Sequence, residues 1–505
     1  MKNTKFISIS TLIVINLLLT SCASLDFFKE KFSPSQTVAD TKVADKWQMD
    51  NGLPHNGELK NLQSFWMQYQ DPLLLELIEA AQSQSATVAT AKANITQARA
   101  NRVGANSALL PTLDGTASAS RGVQQPTLNY GTGTGSFDQP GGITNSAQIG
   151  AEAAWELDIF GANRALLNAA KASENAATAN WHEARVSVAA EVATSYFNQR
   201  FCEMQLVLST NDAKSRAETM RVTEISAHAG FTATGEAALA SGSAADALQV
   251  VKAQQTQCDL EVKSLVALTN LGEQNVREKL KQIAFNANEE NKALFSIAEI
   301  PAEVIAQRPD IYSAEVDLIN AAAEVKNTQA QRLPKVSLNG SIGWMRLTGD
   351  GYSGDGEIWS LGPISIRLPI FDGGKRKANV DSAEAKYEEA AAKYRSKVRY
   401  AVKEVESALV NLHSAEIRQA DIERSISAYK KALSATQEKV KAGFANLLEL
   451  EESRRYALQA ETNRVNLLKE RNNAWISLYR AAGGGWDKAL QTNNEQNNHN
   501  ATSSK

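Results

Sequence analysis

The sequence predicts a membrane-associated protein that combines very long α-helices with four short β-strands, and three observations support this. The chain of 505 residues contains the same order of sequence features twice. Its helical segments carry apolar residues at alternating spacings of four and three, which is typical of helices packed side by side. Between them, apolar and polar residues alternate, as in a strand with two different faces. These features predict a mixed α and β membrane protein built by internal duplication.

The composition excludes several classes of function. The chain has 53 basic and 56 acidic residues and a formal net charge of −3, whereas a nucleic-acid-binding domain is usually strongly basic. Three cysteines are too few for a disulfide scaffold, and the five scattered histidines argue against a metal enzyme. We therefore predict no nucleic-acid partner, no cofactor, no metal site and no catalytic residues.

The N-terminus has the features of a signal peptide that ends at a lipid-modified cysteine. Lys2 and Lys5 precede an apolar run over residues 6–19. This run is too short to cross a bilayer as a helix. The run ends in the sequence LTSC, which resembles the lipobox of bacterial lipoproteins. We expect residues 1–21 to be removed and Cys22 to carry lipid such as palmitate. An ordinary secretory signal with an incidental cysteine is the alternative.

Matching motifs reveal the duplication. The sequence Ile159-Phe160-Gly161 recurs as Ile370-Phe371-Asp372-Gly373, and the triplet AGF occurs around both Gly230 and Gly443. A fixed order of features that occurs twice predicts two structural repeats. The predicted organisation is a signal peptide (1–21), a lipidated N-terminal segment (22–70), a first repeat (71–285), a second repeat (286–482) and a polar, disordered tail (483–505).

The clearest helix runs from Lys375 to Lys441 and would be about 100 Å long at 1.5 Å per residue. Gly443 follows its end, where a residue with positive φ commonly terminates a helix. The spacing predicts a coiled-coil surface along the helix, which a compact domain could not accommodate. The apolar residues of one heptad series are Val398, Val405, Leu412, Ile426, Leu433 and Val440.

Two of the cysteines lie at equal sequence distances from the first AGF turn. Cys202 and Cys258 are placed symmetrically about Gly230, so two antiparallel helices that meet there would bring them to the same height. Because the chain is expected to enter an oxidising compartment, the spacing predicts a disulfide between them. Two buried free thiols are the alternative.

Four segments of alternating polarity predict strands of about 9 to 12 residues, the length of a tilted strand in an outer membrane. A half-buried soluble sheet shows the same alternation. Two further features favour the membrane: the lipoprotein signal, and two predicted polar loops, residues 123–145 and 347–357, that join the strands in pairs. The segments cover residues 113–120, 147–158, 336–344 and 364–370.

The strand count has a consequence for assembly. Four strands cannot close a transmembrane barrel, which needs about eight, and an open sheet edge is not tolerated in lipid. The barrel must therefore be shared between copies of the chain. Two copies would supply about eight strands and three about twelve, and only the larger number leaves a lumen wide enough for solutes.

Several longer motifs resemble those of the TolC-like outer membrane factors of bacterial tripartite efflux systems, in the lipoprotein branch associated with resistance-nodulation-division pumps. This resemblance implies a homotrimer with a 12-stranded β-barrel in the outer membrane and a long α-helical barrel in the periplasm. The motifs are WELDIFGANR (155–164), IPAEVIAQRPDI (300–311), LPIFDGG (368–374), KAGFANLLELEESR (441–454) and AAGGGWD (481–487).

The resemblance also implies a function and partners. Such channels passively conduct drugs or other small toxic compounds to the cell exterior, and they are closed at the periplasmic tips of their helices. The expected partners are outer-membrane lipid, a periplasmic adaptor (a membrane fusion protein) and an inner-membrane transporter of the resistance-nodulation-division class. The adaptor-facing tip turns correspond to Gly230, Phe231, Gly443 and Phe444.

The same resemblance implies a periplasmic gate at Leu448, Glu449 and Glu452. The family more often has Asp at the two acidic positions, so the Glu side chains are a departure. Three copies of each carboxylate in a narrow ring would repel one another, and closure would need inter-helix bonds, protonation or bound cations. The alternative is that both are ordinary solvated residues of a charged helix face.

Two other functions remain open at this point. The same fold could serve as an outer-membrane conduit for type I protein secretion. A structural coiled-coil lipoprotein that links envelope layers without conducting solutes is the second alternative, and it predicts helices without barrel strands.

Overall fold

The computed structural model describes residues 32–41, 43, 65–123, 143–282, 301–349 and 352–486. The expected signal peptide and Cys22 lie outside these residues, as does the tail from residue 487 onward. The helices and strands, in chain order, are α1 (Pro34–Asp40), α2 (Phe65–Gln68), α3 (Pro72–Gln84), α4 (Ala86–Ser107), β1 (Thr112–Val123), β2 (Ile143–Leu157), α5 (Ala162–His228), α6 (Thr234–Thr269), α7 (Glu273–Gln282), α8 (Pro301–Ala306), α9 (Pro309–Ala330), β3 (Lys335–Gly349), β4 (Tyr352–Arg367), α10 (Lys375–Lys441) and α11 (Leu447–Ala481).

The order of elements repeats. Helix α4, strands β1 and β2, and helices α5 and α6 are followed later by α9, β3, β4, α10 and α11. Helices α5 and α10 each contain 67 residues, and the bounds of α10 are those that the sequence predicted. A short 3-10 helix, Gly483–Gly485, follows α11. Trp486 is buried after it, so the ordered chain continues past the predicted start of the tail.

The four strands form one antiparallel sheet in the order β1-β2-β3-β4. They contain 12, 15, 15 and 16 residues and are longer than predicted. The expected polar loop over residues 347–357 is wrong, because Thr348 pairs with Ser353 and Gly349 with Tyr352. Backbone hydrogen bonds hold this polar hairpin, so its pairing does not depend on apolar side chains.

An aspartate side chain caps the start of each of the two long helices. Asp158 accepts hydrogen bonds from the backbone N–H groups of Asn163 and Arg164 (3.1 and 3.0 Å) at the start of α5. Asp372 accepts them from Gly374 and Arg376 (both 3.0 Å) at the start of α10. An acidic side chain satisfies the free N–H groups at a helix start and favours its positive end. The two junctions between strand and helix are therefore capped in the same chemical way, although the two aspartates occupy different positions in the repeat.

The chain divides into two compact units, and each takes stretches from both predicted repeats. The first comprises residues up to 40, 96–174 and 315–393, and it contains the whole sheet. The second comprises residues 41–95, 175–314 and 394–505, and it contains both AGF turns. The repeat boundaries themselves stay a prediction.

Burial follows the predicted heptads in the part of α10 that lies in the second unit. Val398, Val405 and Leu412 are buried, whereas Leu433 and Val440, nearer the turn, are only partly buried. Among the described residues, none of the helices has both the length and the apolar character needed to cross a membrane.

Candidate functional site

The two AGF turns have the same local structure. Gly230 and Gly443 adopt φ values of +80° and +77°, which an L side chain adopts only at a cost. The N–H of Phe231 donates to the carbonyl of Ser226 (2.9 Å) and that of Gly230 to Ala227 (3.0 Å). This pair of bonds is a Schellman motif, which satisfies the last carbonyls of a helix. The turn at Gly443 has equivalent bonds.

Both turns present a large apolar side chain. Phe231 is 86% exposed and Phe444 is 84% exposed. Helix α11 begins immediately after the second turn, where the Asn446 side chain accepts a hydrogen bond from the N–H of Glu449 (2.9 Å). The ends of the two helical hairpins therefore each carry an exposed phenylalanine.

The predicted gate residues lie on the exposed face of the first turns of α11. Leu448, Glu449 and Glu452 are all exposed, and the spacing of three and four puts them on one side of the helix. One Glu452 carboxylate oxygen accepts a hydrogen bond from the Tyr456 hydroxyl (3.2 Å). Tyr456 in turn stacks on Tyr429 of α10, with ring centroids 5.5 Å apart.

The opposite face of α11 is buried against the other helices near the turns. Leu447 and Leu450 pack with Ala240 of α6, and partly buried residues of α5 and α10 complete the cluster. The 3.6-residue period of a helix separates this apolar face from the one that carries the two carboxylates. The two carboxylates predicted to form a gate are therefore presented by a firmly packed helix. The partly buried residues are Met220, Leu433 and Val440.

A charged cluster that the sequence did not reveal joins three helices beside the predicted gate residues. Arg216 of α5 contacts Asp212 and Glu451 (both 2.8 Å) and donates to the Ser243 hydroxyl of α6 (2.7 Å). Glu451 also pairs with Arg454 (2.8 Å). The Arg216 and Glu451 side chains are only 17% and 12% exposed. Of the acids at the start of α11, Glu451 is the one that holds the hairpins together.

The structure joins Cys202 of α5 and Cys258 of α6 by a disulfide, with their Cα atoms 5.5 Å apart. The two cysteines are 56 residues apart in sequence. A cross-link that closes such a long segment restricts the unfolded chain. Neither cysteine is available to bind a metal. Among the described residues there is no group of three or more histidine, cysteine or acidic side chains arranged to hold one.

A second charged centre lies in the same compact unit, around Arg308 at the start of α9. Its guanidinium binds both oxygens of Asp310 (2.9 and 3.0 Å) and Glu404 of α10 (2.7 Å), and it donates to the carbonyl of Ala481 at the end of α11 (3.0 Å). Burial alone would raise the pKa of Asp310, yet the hydrogen bonds and charge of Arg308 lower it below its ordinary value. Arg308 therefore ties three helices to one point.

The glycines after α11 are required by close packing at this centre. Gly483 and Gly484 have φ values of +81° and +62°. A Cβ atom on Gly483 would lie 2.8 Å from the carbonyl oxygen of Gln307, and one on Gly484 would lie 2.3 Å from Val186 Cγ2. Only glycine fits both the backbone conformation and the space. Trp486 then packs against Tyr312, with ring centroids 5.5 Å apart.

Glu183 of α5 gives this centre a predicted dependence on pH. Burial raises its pKa, and the Asp310 carboxylate raises it further, against the opposing charges of Lys397, Arg308 and Arg480. A carboxyl with a raised folded-state pKa is destabilising when it is ionised, so stability falls as pH rises from the ordinary Glu pKa through the folded value. We expect Glu183→Gln to raise the melting temperature at about pH 8 and to have little effect at about pH 4.

The control for this measurement is Glu191→Gln, because Glu191 is exposed on the same helix. Thermal melting of both variants across the pH range checks the prediction. A wild-type protein that gains stability relative to Glu183→Gln as pH rises would contradict it.

Comparison with known proteins identifies what this arrangement resembles. Residues 77–271 and 300–484 match the family model described as outer membrane efflux protein. Nodulation protein T of Rhizobium leguminosarum bv. trifolii is 27% identical over 478 residues, which is 94% of this chain and 96% of that protein. The solvent efflux pump outer membrane protein SrpC of Pseudomonas putida is also 27% identical over 478 residues, covering 93% and 97%. The crystal structure of the open state of the Neisseria gonorrhoeae MtrE outer membrane channel is 26% identical, with a TM-score of 0.73 over 89% of this chain and 97% of that one.

Proposed function

Because the chain belongs to the outer membrane efflux protein family, we propose that three copies form one channel through which small toxic compounds leave the cell. The protein is an outer-membrane channel of an efflux pump and has the TolC-like fold. The single observation that best supports the trimer is the four-stranded antiparallel sheet, which continues directly into two very long helices. A sheet of four strands has two free edges, and lipid does not tolerate free edges.

Three copies arranged in a ring would close a barrel of about twelve strands, wide enough for an aqueous lumen. The long helices would then extend the conduit into the periplasm. The non-conducting alternative predicts no barrel strands, so the sheet argues against it. The relatives named above are outer-membrane efflux and nodulation proteins rather than enzymes, and we propose that this chain has no catalytic activity.

The proposed cargo is a small organic compound such as a drug or a solvent. SrpC is the outer-membrane protein of a solvent efflux pump, and OprJ of Pseudomonas aeruginosa is a further outer-membrane relative, with 27% identity over 484 residues. An inner-membrane transporter of the resistance-nodulation-division class would capture the compound. A periplasmic adaptor would connect this transporter to the channel by docking at the exposed Phe231 and Phe444.

Lipid at Cys22 would add an anchor beside the barrel. Each buried CH₂ of an acyl chain contributes about 0.8 kcal/mol, so two or three chains hold a protein firmly at a membrane. Cys22 lies outside the described residues, and its lipidation rests on the LTSC sequence.

The gate would form where Leu448, Glu449 and Glu452 of three copies converge. Their exposure on one face of α11 supports this assignment, because a residue that faces the lumen must not be buried within its own subunit. The cluster around Arg216 and Glu451 would keep that face in position.

An efflux assay in cells tests the proposal. Cells that lack the chain should become several-fold more sensitive to organic solvents and drugs and should accumulate a fluorescent dye, and the wild-type chain should restore both. The control is complementation with the unmodified chain, present in the outer membrane at the same level as in the original cells. If sensitivity is unchanged while an exported protein disappears from the medium, type I secretion replaces efflux as the function.

A further inference from the structure

Each free edge of the sheet contains one pair of like charges, and the two pairs have opposite signs. On β1, Asp114 lies directly opposite Glu152 of β2. On β4, Arg367 lies directly opposite Lys335 of β3. Like charges directly opposite each other destabilise a sheet, so each edge contains an unfavourable pair of exposed side chains. The pair at the β1 edge is acidic and the pair at the β4 edge is basic.

All four of these side chains are on the same face of the sheet. Residues that are directly opposite in an antiparallel pair share a face, and so do residues two apart along a strand. Glu156 lies four residues beyond Glu152 on the same face of β2, and it forms a salt bridge with Lys335 (3.1 Å). Serine pairs continue this polar face toward the other end, including Ser337 with Ser365 (2.6 Å). An edge-to-edge contact between copies would therefore bring the acidic and basic pairs together on one polar surface.

The internal repeat supplies a register for such a contact. The sequence WELDIF of residues 155–160 corresponds to IRLPIF of residues 366–371, and LPTLD of residues 110–114 corresponds to LPKVS of residues 333–337. Within one chain, β2 of the first repeat pairs with β3 of the second, and Glu156 lies opposite Ser337. Arg367 is the repeat equivalent of Glu156, and Asp114 is the repeat equivalent of Ser337. If β4 and β1 of neighbouring copies pair as β2 and β3 do within one chain, Arg367 lies opposite Asp114.

We propose that β4 of one copy pairs with β1 of the next, so that Arg367 forms an ion pair with the partner subunit's Asp114. This inference rests on the trimeric channel proposed above and specifies how its subunits join. The contact relieves both like-charge pairs at once. It also puts the apolar Ile364 opposite the partner subunit's Ala117, on the other face.

The charges distinguish this register from registers shifted by one or two residues. A shift of one residue would turn every apolar side chain of one strand toward the polar face of the other. A shift of two residues preserves the faces but puts Arg367 opposite Thr116. The direct Arg367–Asp114 pair therefore distinguishes the correct register from the nearest one that the apolar pattern allows.

Disulfide trapping in the full-length protein tests the register with both charges intact. Thr116→Cys combined with Ser365→Cys places two cysteines directly opposite each other across the interface, within the Cα separation that a disulfide needs. We expect this variant to yield covalent trimers on oxidation. The matched control, Ser118→Cys with Ser365→Cys, reports the register shifted by two residues and should yield few. The wild-type chain, whose Cys202 and Cys258 are already joined to each other, should yield none.

Removal of one charge provides the second arm of the test. Asp114→Asn or Arg367→Gln, added to the Thr116→Cys and Ser365→Cys variant, should reduce the yield of covalent trimer several-fold. The mass of the detergent-solubilised assembly is measured in parallel. Covalent trimers that form only through the shifted pair would overturn the inference, and so would a trimer yield that neither charge change affects. Either result would be compatible with the proposed trimeric channel. A monomeric mass for the wild-type protein would overturn the proposed function as well.

Discussion

Replacement of Arg308 by alanine is expected to destabilise the helical unit by about 3 to 5 kcal/mol, the cost of removing one partner of a buried ion pair. Arg308 is 9% exposed and contacts Asp310, Glu404 and the carbonyl of Ala481. Without it, a largely buried Asp310 carboxylate would lose its counter-charge, and the start of α9, the middle of α10 and the end of α11 would lose their common contact. We expect little folded protein in the outer membrane and a markedly lower midpoint of thermal unfolding.

Two variants distinguish this role from a general loss of charge. Arg308→Lys keeps the charge but has no planar fork to bind both oxygens of Asp310, so it should restore only part of the stability. Arg424→Ala removes an arginine that is 79% exposed and should leave the unfolding midpoint within experimental error. An Arg308→Ala protein as stable as the wild type would contradict the account of this centre.

Much of the architecture follows from local sequence patterns. The heptad spacing and the terminal glycine define α10 from Lys375 to Lys441. The symmetric placement of Cys202 and Cys258 about Gly230 indicates two antiparallel helices at this turn, which the structure contains as α5 and α6. These features depend on residues close in sequence or on a regular period, and a single sequence contains both kinds of information.

The features that the sequence did not reveal depend on distant contacts. Arg216 and Glu451 are separated by 235 positions, and nothing in the run LELEESRR distinguishes Glu451 from Glu449 or Glu452. The one available signal is periodicity, because the buried Leu450 and Arg454 put Glu451 beside the packed face of α11. The end of the β3–β4 hairpin was predicted as a loop for a related reason, since polar residues and glycines resemble a loop when the register of the paired strand is unknown.

The proposed gate leads to the second prediction with a large effect. Carboxylates from three copies, confined to a narrow ring, repel one another unless a cation lies between them. Their oxygens are suitable ligands for a divalent cation, which would draw the copies together and obstruct the lumen. Glu449→Ala combined with Glu452→Ala removes the ligands, and the exposure of both side chains indicates that the helix itself will remain folded.

A matched control removes the same charge elsewhere. Glu416 and Glu423 are exposed on α10, about 30 to 40 Å from the turn at Gly443 by helix rise. Glu416→Ala combined with Glu423→Ala should therefore leave the gate unaffected. A comparable rise in conductance in this control would mean that overall charge, rather than the ring, sets the flow of ions.

Single-channel conductance of the full-length mature protein in planar bilayers tests whether the protein is a channel closed by these carboxylates. We expect a small wild-type conductance that divalent cations reduce further. We expect a several-fold larger conductance, insensitive to these cations, for Glu449→Ala combined with Glu452→Ala. Conductance that is unchanged by these substitutions would preserve the channel and contradict the gate. The absence of any conductance from folded wild-type and variant protein would contradict the channel itself.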